Sequence, residues 1–199
     1  MTSRRPWLPA LAALMLAVAL TPTQSANAQP KPAQLLAAGS EIAFTTRQLG
    51  VPVEGRFGRF SAQIALDPKL PASSSVAFSI DTGSARFGSP ELDAEVPKAT
   101  WLHVAKFPQA SFQSSAIKAA GPGRFEVTGA LTIKGVAREV TVPVQLLQNG
   151  GSGIGTATGS FVLPRTAFKV GDGEWTDTSL LADEVQVRFK LALAGLPAP

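Results

Sequence analysis

The chain of 199 residues contains no cysteine and no tyrosine, one histidine and two methionines. Without cysteine there are no disulfides, no thiolate metal site, no cysteine nucleophile and no lipid-modified cysteine anchor. Both methionines, Met1 and Met15, lie near the start of the chain. With His103 as the single histidine, paired-histidine and histidine–methionine haem ligation, ordinary zinc sites and blue-copper sites are excluded within one chain. Long basic runs are also missing, and the formal charge is +4, so nothing argues for nucleic acid as a partner. Beyond the first 28 residues no apolar run approaches the 18 or so residues of a membrane span.

The start of the chain reads as a signal peptide. Arg4 and Arg5 form a basic segment, Leu8 to Leu20 is apolar apart from Pro9, and Ala26 and Ala28 give a small-x-small cleavage pattern. Cleavage after Ala28 and export to the periplasm are expected, leaving about 170 residues, the size of one domain. The paired arginines fit both an ordinary secretory signal and a twin-arginine one. Removing them lowers the formal charge from +4 to +2, because every acidic residue lies beyond Ala28.

Residues 29–39 are Pro- and Ala-rich and read as a flexible tail, with a second tail at 195–199 and a barrel domain at 40–194. Between the tails, apolar and polar residues alternate. Ile42 and Phe44 begin the pattern, which continues through Phe60–Leu66, Val76–Ile80, Ser111–Ile117, Arg124–Thr132, Val140–Leu146, Ile154–Leu163 and Val185–Leu193. Period-two alternation broken by Gly-, Pro- and Ser-rich segments predicts about eight antiparallel strands, each with one buried face. "AAGPG" (119–123), "IKGVAR" (133–138) and "QNGGSG" (148–153) read as tight turns. Between strands three and four, "SPELDAEVPKATWL" places a serine before a proline and acidic residues, the pattern of a short helix start. The strands predict an all-β fold, an eight-stranded barrel or a sandwich; a barrel also removes the exposed sheet edges.

Candidate sites follow from this layout. Phe44, Phe60, Phe78, Phe112, Phe125 and Phe189 share the inward parity of their strands, as do Val127 and Val142, while Trp101 and Phe107 border a strand entry. These ten residues are the candidate lining of an apolar cavity. Gly129, Gly155, Ala157 and Gly159 are small inward residues expected to leave interior space. His103 has no acid or nucleophile placed beside it by sequence and reads as a loop residue. The spacing within "GGSGIGTATG" is not that of a phosphate-binding loop, and Asp172, Glu174 and Asp177 lack calcium-loop spacing. No metal site, cofactor or catalytic residue is assigned.

Several segments stand in the order of a known family: "GRF" (55–57), "IDTGS" (80–84), "FPQASF" (107–112), "VTGALTIKGVAREVTVPV" (127–144), "PRTAF" (164–168) and "GEWTDTSLLADEVQVRF" (173–189). Together they resemble the YceI-like family of exported polyisoprenoid-binding proteins, over roughly residues 39–193. The resemblance implies a lipocalin-like barrel holding a long isoprenoid, such as a polyprenyl phosphate or a quinone tail. It implies a binding or carrier protein, not an enzyme. The "GEWTDTSLLADEV" segment resembles a subgroup often associated with membrane b-type cytochromes, which adds an accessory role in a quinone redox system as an alternative; an enzyme acting on a lipid inside the barrel is the remaining one. Arg165, within "PRTAF", becomes a headgroup candidate. Many relatives carry a histidine and then a glycine shortly after the first strand. Here the segment reads "TTRQLGV", with Arg47 or Gln48 at that place, so no such histidine carries over.

Overall fold

The computed structural model describes residues 31–197. The expected signal peptide and its cleavage site lie outside the described residues. Ten strands form one antiparallel sheet: β1 (Pro32–Gln48), β2 (Val51–Phe57), β3 (Phe60–Ala65), β4 (Ser75–Asp81), β5 (Ala85–Arg86), β6 (Gln109–Gly121), β7 (Arg124–Ile133), β8 (Val136–Gln148), β9 (Ile154–Pro164) and β10 (Glu184–Ala194). Pairing of β10 back onto β1 closes the sheet into the expected barrel. Its eight staves are β1, β3, β4 and β6 to β10. β2 continues β3 past a kink at Gly58–Arg59 and pairs with the second half of β1, and β5 adds two residues to β2.

Strand β2 escaped the alternation pattern for a local reason. Pro52 and Gly55 interrupt its apolar positions, and Gly55 faces inward with nothing to bury. The turn to it, Leu49–Gly50, has positive φ at both residues, as does Lys134–Gly135 between β7 and β8. This is the backbone of a two-residue hairpin whose twist matches the strands it joins.

Two expectations about the chain ends are corrected. Residues 32–39, read as tail, belong to β1: Gln34 to Leu36 pair with Ala192 to Ala194, and Pro32 and Ala33 pair with Ala65 and Ile64. A run of alanines and leucines carries no alternation, but here Ala33 is buried in the barrel core, and the ladder to β10 supplies the order. At the other end Leu196, read as tail, is 5% exposed and packs with Leu191 and Leu193.

The expected helical excursion lies between β4 and β6. Helix α1 (Pro90–Glu95) is capped by Ser89, whose hydroxyl accepts the Leu92 N–H, with Pro90 at its first position and Glu91 and Asp93 in its first turn. Acidic residues there complement the positive end of the helix dipole. Segment 82–108 and the β9–β10 loop, 165–183, leave from the same rim of the barrel and cover it.

Candidate functional site

The interior of the barrel holds a cavity of about 140 Å³ lined entirely by apolar side chains. Six of the ten sequence candidates line it: Phe78, Phe112, Phe125, Val127, Val142 and Phe189. The alternation on β4, β6, β7, β8 and β10 aims them inward, where a strand's successive side chains must point to opposite faces. Several of these residues are only half buried although they point inward, Phe78, Phe112 and Phe189 among them. They border unfilled space. Val144, Phe161 and Val187 share that position and were not singled out from sequence; each has the right parity on its strand, and the sole signal for them was that parity.

The other four candidates lie elsewhere. Phe44 lies over Gly55 and packs against Phe57 and Phe87, with ring centroids 5.1 and 5.2 Å away. Phe60 faces a gap in the barrel wall rather than the central cavity. Trp101 packs against Trp175, centroid to centroid 5.3 Å, within the rim loops. Phe107 lies over Gly135 and beside His103 in the same cap, with the Lys106 ammonium 5.3 Å from its ring. Trp101 and Phe107 are lid residues that seal the rim and do not line the lumen. A local sequence pattern gives no strand parity to residues in loops.

The inward glycines do not leave the space expected of them. A Cβ at Gly159 would come within 2.4 Å of the Phe189 ring, and one at Gly129 within 2.7 Å of the Phe112 ring. Gly55 relates to Phe44 in the same way, and Gly155 is covered by Leu196. Phe189 is the cross-strand partner of Gly159, and Phe44 that of Gly55. The missing Cβ lets each ring lie flat against the sheet. The glycines thus widen the lumen indirectly, by letting the aromatic lining retreat to the wall.

Arg165 is corrected as a headgroup candidate. It is 2% exposed, and its guanidinium donates only to backbone carbonyls: Nε to Ala182 at 3.0 Å, Nη1 to Val170 and Gly171 at 3.0 and 3.4 Å, and Nη2 to Leu181 at 2.7 Å. Burial pushes its pKa below the ordinary arginine value, and the nearby Asp183 carboxylate opposes that shift. The side chain is saturated by the loop it folds. Lys134 has a similar part: its ammonium donates to the carbonyls of Thr100 and Lys169 and to the Asp172 carboxylate at 3.2, 2.6 and 2.7 Å. Asp183 accepts from both the N–H and the hydroxyl of Thr166.

The remaining motif residues are structural in the same sense. The Asp81 carboxylate accepts the Gly83 N–H and pairs with Arg59 at 2.8 Å. The buried Thr82 hydroxyl donates to the Phe107 carbonyl at 2.8 Å. His103, with φ of 49°, occupies a turn whose carbonyl accepts from Lys106 and Phe107. Among the described residues no cluster of His, Asp and Glu could hold a metal ion, and no helix is long and apolar enough to cross a membrane.

The closed antiparallel barrel is the fold that the resemblance implied, and the structure adds loops stitched over one rim. The YceI-like domain family matches residues 34–193. The chain belongs to the YceI-like family. Among relatives, a UPF0312 protein of Vibrio parahaemolyticus is 29% identical over 182 residues, which are 91% of this chain and 94% of that protein. Protein YceI of Salmonella arizonae is 34% identical over 110 residues, 55% of this chain and 57% of that one. Among solved structures, BcnA of Burkholderia cenocepacia is 43% identical, with a TM-score of 0.77 over 80% of this chain and 99% of that one. A domain of Saccharophagus degradans described as polyisoprenoid binding shares the fold at 15% identity, with a TM-score of 0.66 over 84% of this chain and 98% of that one.

Proposed function

We propose that this YceI-like protein is a periplasmic binding or carrier protein for a long-chain isoprenoid lipid, held by its apolar tail inside the barrel. The observation that carries this reading is the lumen: a sheet brought round on itself by the β10–β1 pairing, enclosing a cavity with an entirely apolar lining. Such a lining discriminates for hydrocarbon and against water, and it contains no acid, base or nucleophile that could act on a bound chain. A binding role therefore accounts for the site better than an enzymatic one. The likeness in fold to a domain described as polyisoprenoid binding supports the same class of ligand.

Size limits how the chain enters. An apolar cavity near 140 Å³ matches the roughly 150 Å³ engineered cavity that takes one benzene. In this conformation the lumen admits a group on the scale of one isoprene unit. A longer tail needs the rings of Phe78, Phe112 and Phe189 to swing from their present positions. Each five-carbon unit contributes roughly 4 kcal/mol of gross burial, at about 0.8 kcal/mol per CH₂, before ordering costs. A few units are enough to offset ring displacement. A quinone tail satisfies the same lumen as a polyprenyl phosphate, because the lining reads the chain.

The test is native mass spectrometry of the protein purified from its own envelope, beside a Val144→Phe variant. Val144 borders the cavity and is half buried. A co-purifying prenyl-lipid mass on the wild type, lost in a variant with an unchanged melting temperature, is the expected result. Equal lipid occupancy in a well-folded Val144→Phe protein would remove the lumen from the binding site.

A further inference from the structure

Among the described residues the backbone ladders of the barrel wall lapse between residues 136–143 of β8 and 160–164 of β9, and again beside β1. Between the Ala33–Ile64 pair and the Ile42–Phe57 pair, β1 and the β2–β3 stave are unpaired. Both sides of the gap are held away from one another by other partners. On β1, residues 37–40 bulge out of the ladder with β10, Gly39 takes a φ of 86°, and Ser40 fixes the bulge by donating to the Leu36 carbonyl and accepting the Ala192 N–H. On the opposite side, the N–H groups of Gly58 and Arg59 bond the carbonyl and the hydroxyl of Ser84, both at 3.0 Å. The opening is built into the fold rather than frayed.

This opening, about 670 Å³ in volume, has an apolar floor and a charged rim. Phe57 and Phe60 form the floor, and both pack against the core cluster that surrounds the lumen. Arg56, Arg59, Lys190 and Glu41 stand on the rim. Arg59 is paired with Asp81. Arg56 and Lys190 have no ion pair and no side-chain hydrogen bond among the described residues. They lie on the strands flanking β1, opposite Ala43 and Glu41 respectively. Two strand spacings of about 4.8 Å separate the strands that carry them, within reach of two long side chains converging on one anion. The two buried cations near the rim loops, Arg165 and Lys134, are already saturated by carbonyls and Asp172.

We propose that the wall opening between β1 and the β2–β3 kink is a lateral binding site for an anionic headgroup of the phosphate class. Arg56 and Lys190 contact the headgroup, and the apolar tail passes Phe57 and Phe60 into the lumen. The proposal rests on the lumen reading and adds to it an entry route and a preference for charged over neutral amphiphiles. Glu41, beside Lys190, opposes the anion and tempers that preference.

Three probes separate the possibilities: undecaprenyl phosphate, undecaprenol with the same tail and a neutral headgroup, and inorganic phosphate alone. At low ionic strength the exported protein is expected to retain the phosphate lipid about tenfold more tightly than the alcohol, the size of effect that a hydrogen bond to a charged group supplies. The Arg56→Gln/Lys190→Gln double variant, whose side chains are exposed, is expected to erase that ratio while leaving undecaprenol binding and the melting temperature unchanged. Glu41→Gln is expected to widen the ratio. Undecaprenol binding with no advantage for the phosphate lipid, or an advantage that survives the double variant, overturns the headgroup site and leaves the lumen reading intact. Tight binding of inorganic phosphate alone, with no preference between the lipids, also overturns it in favour of a free-anion site. Failure of the wild type to retain either lipid overturns the lumen reading and this proposal together.

Discussion

Adding one methyl group at Gly159 tests whether glycine makes room for the aromatic lining. A Cβ there would lie 2.4 Å from Phe189 Cζ, 2.9 Å from its Cε1 and 2.5 Å from the Pro143 carbonyl oxygen. The ring can yield by turning into the lumen. The carbonyl belongs to the neighbouring strand β8 and cannot move without disturbing the ladder. Overpacking of this kind costs about 1–3 kcal/mol. Replacing a strand glycine by alanine returns roughly 0.5–1 kcal/mol of backbone entropy. The expected net loss for Gly159→Ala is about 1–2 kcal/mol, or roughly 2–8 °C in melting temperature for a domain of this size. The decisive measurement is a double-mutant cycle with Phe189→Leu, read by urea or thermal unfolding. If the ring causes the clash, the Gly159→Ala loss shrinks by about 1 kcal/mol when Phe189→Leu is already present, well outside the few tenths expected of independent sites. Losses that add within about 0.5 kcal/mol would refute the ring-over-glycine account. On the same geometry Gly159→Phe, which places a whole ring where Phe189 already lies, destabilises the protein severely; the position is no empty slot.

Further outcomes are open to direct measurement. Arg165→Met leaves the carbonyls of Val170 and Leu181 without their side-chain donor, and that of Ala182 with only the long bond from the Thr46 hydroxyl; a loss of about 3 kcal/mol is expected, at roughly 1–3 kcal/mol for each buried unsatisfied group, with faster hydrogen exchange concentrated in residues 165–183. The side-chain hydrogen bond from Arg59, followed by its charge and the Gly83 and Ser84 N–H groups, holds the Asp81 carboxyl below its ordinary value of 3.8. A depressed carboxylate stabilises the fold above the unfolded-state pKa and loses that contribution as pH falls through the folded value. Arg59→Gln should accordingly lower stability slightly at neutral pH, and the difference from the wild type should shrink as pH falls from about 4 and vanish below the lower folded-state value, in unfolding curves collected across the acid range. The mature protein is expected to begin at Gln29, and terminal sequencing of the envelope fraction that found Met1 or Thr2 intact would contradict export with cleavage.

Much of the fold was legible because its rules are local. Alternation at period two set the faces of seven staves and of the second half of β1, and Gly-rich pairs such as Lys134–Gly135 marked turns whose dihedrals the structure bears out. The short helix was legible in Ser89–Pro90, since a cap and a first-turn proline act within a few residues. Six of the ten candidate lining residues follow from strand parity alone. Three kinds of fact were decided by tertiary structure, because each depends on neighbours distant in sequence. The tail-like residues 32–39 became a strand because β10 offered a ladder. Arg165 could have faced a ligand or a loop from its sequence context; the return of residues 170–182 over it surrounded it with carbonyls and removed it from the ligand's reach. The glycines and phenylalanines met through the cross-strand register, which brings Gly159 beneath Phe189 from the neighbouring strand. An apolar pattern specifies which side chains leave water. Where the lumen stays open depends on how those side chains pack once the barrel has closed.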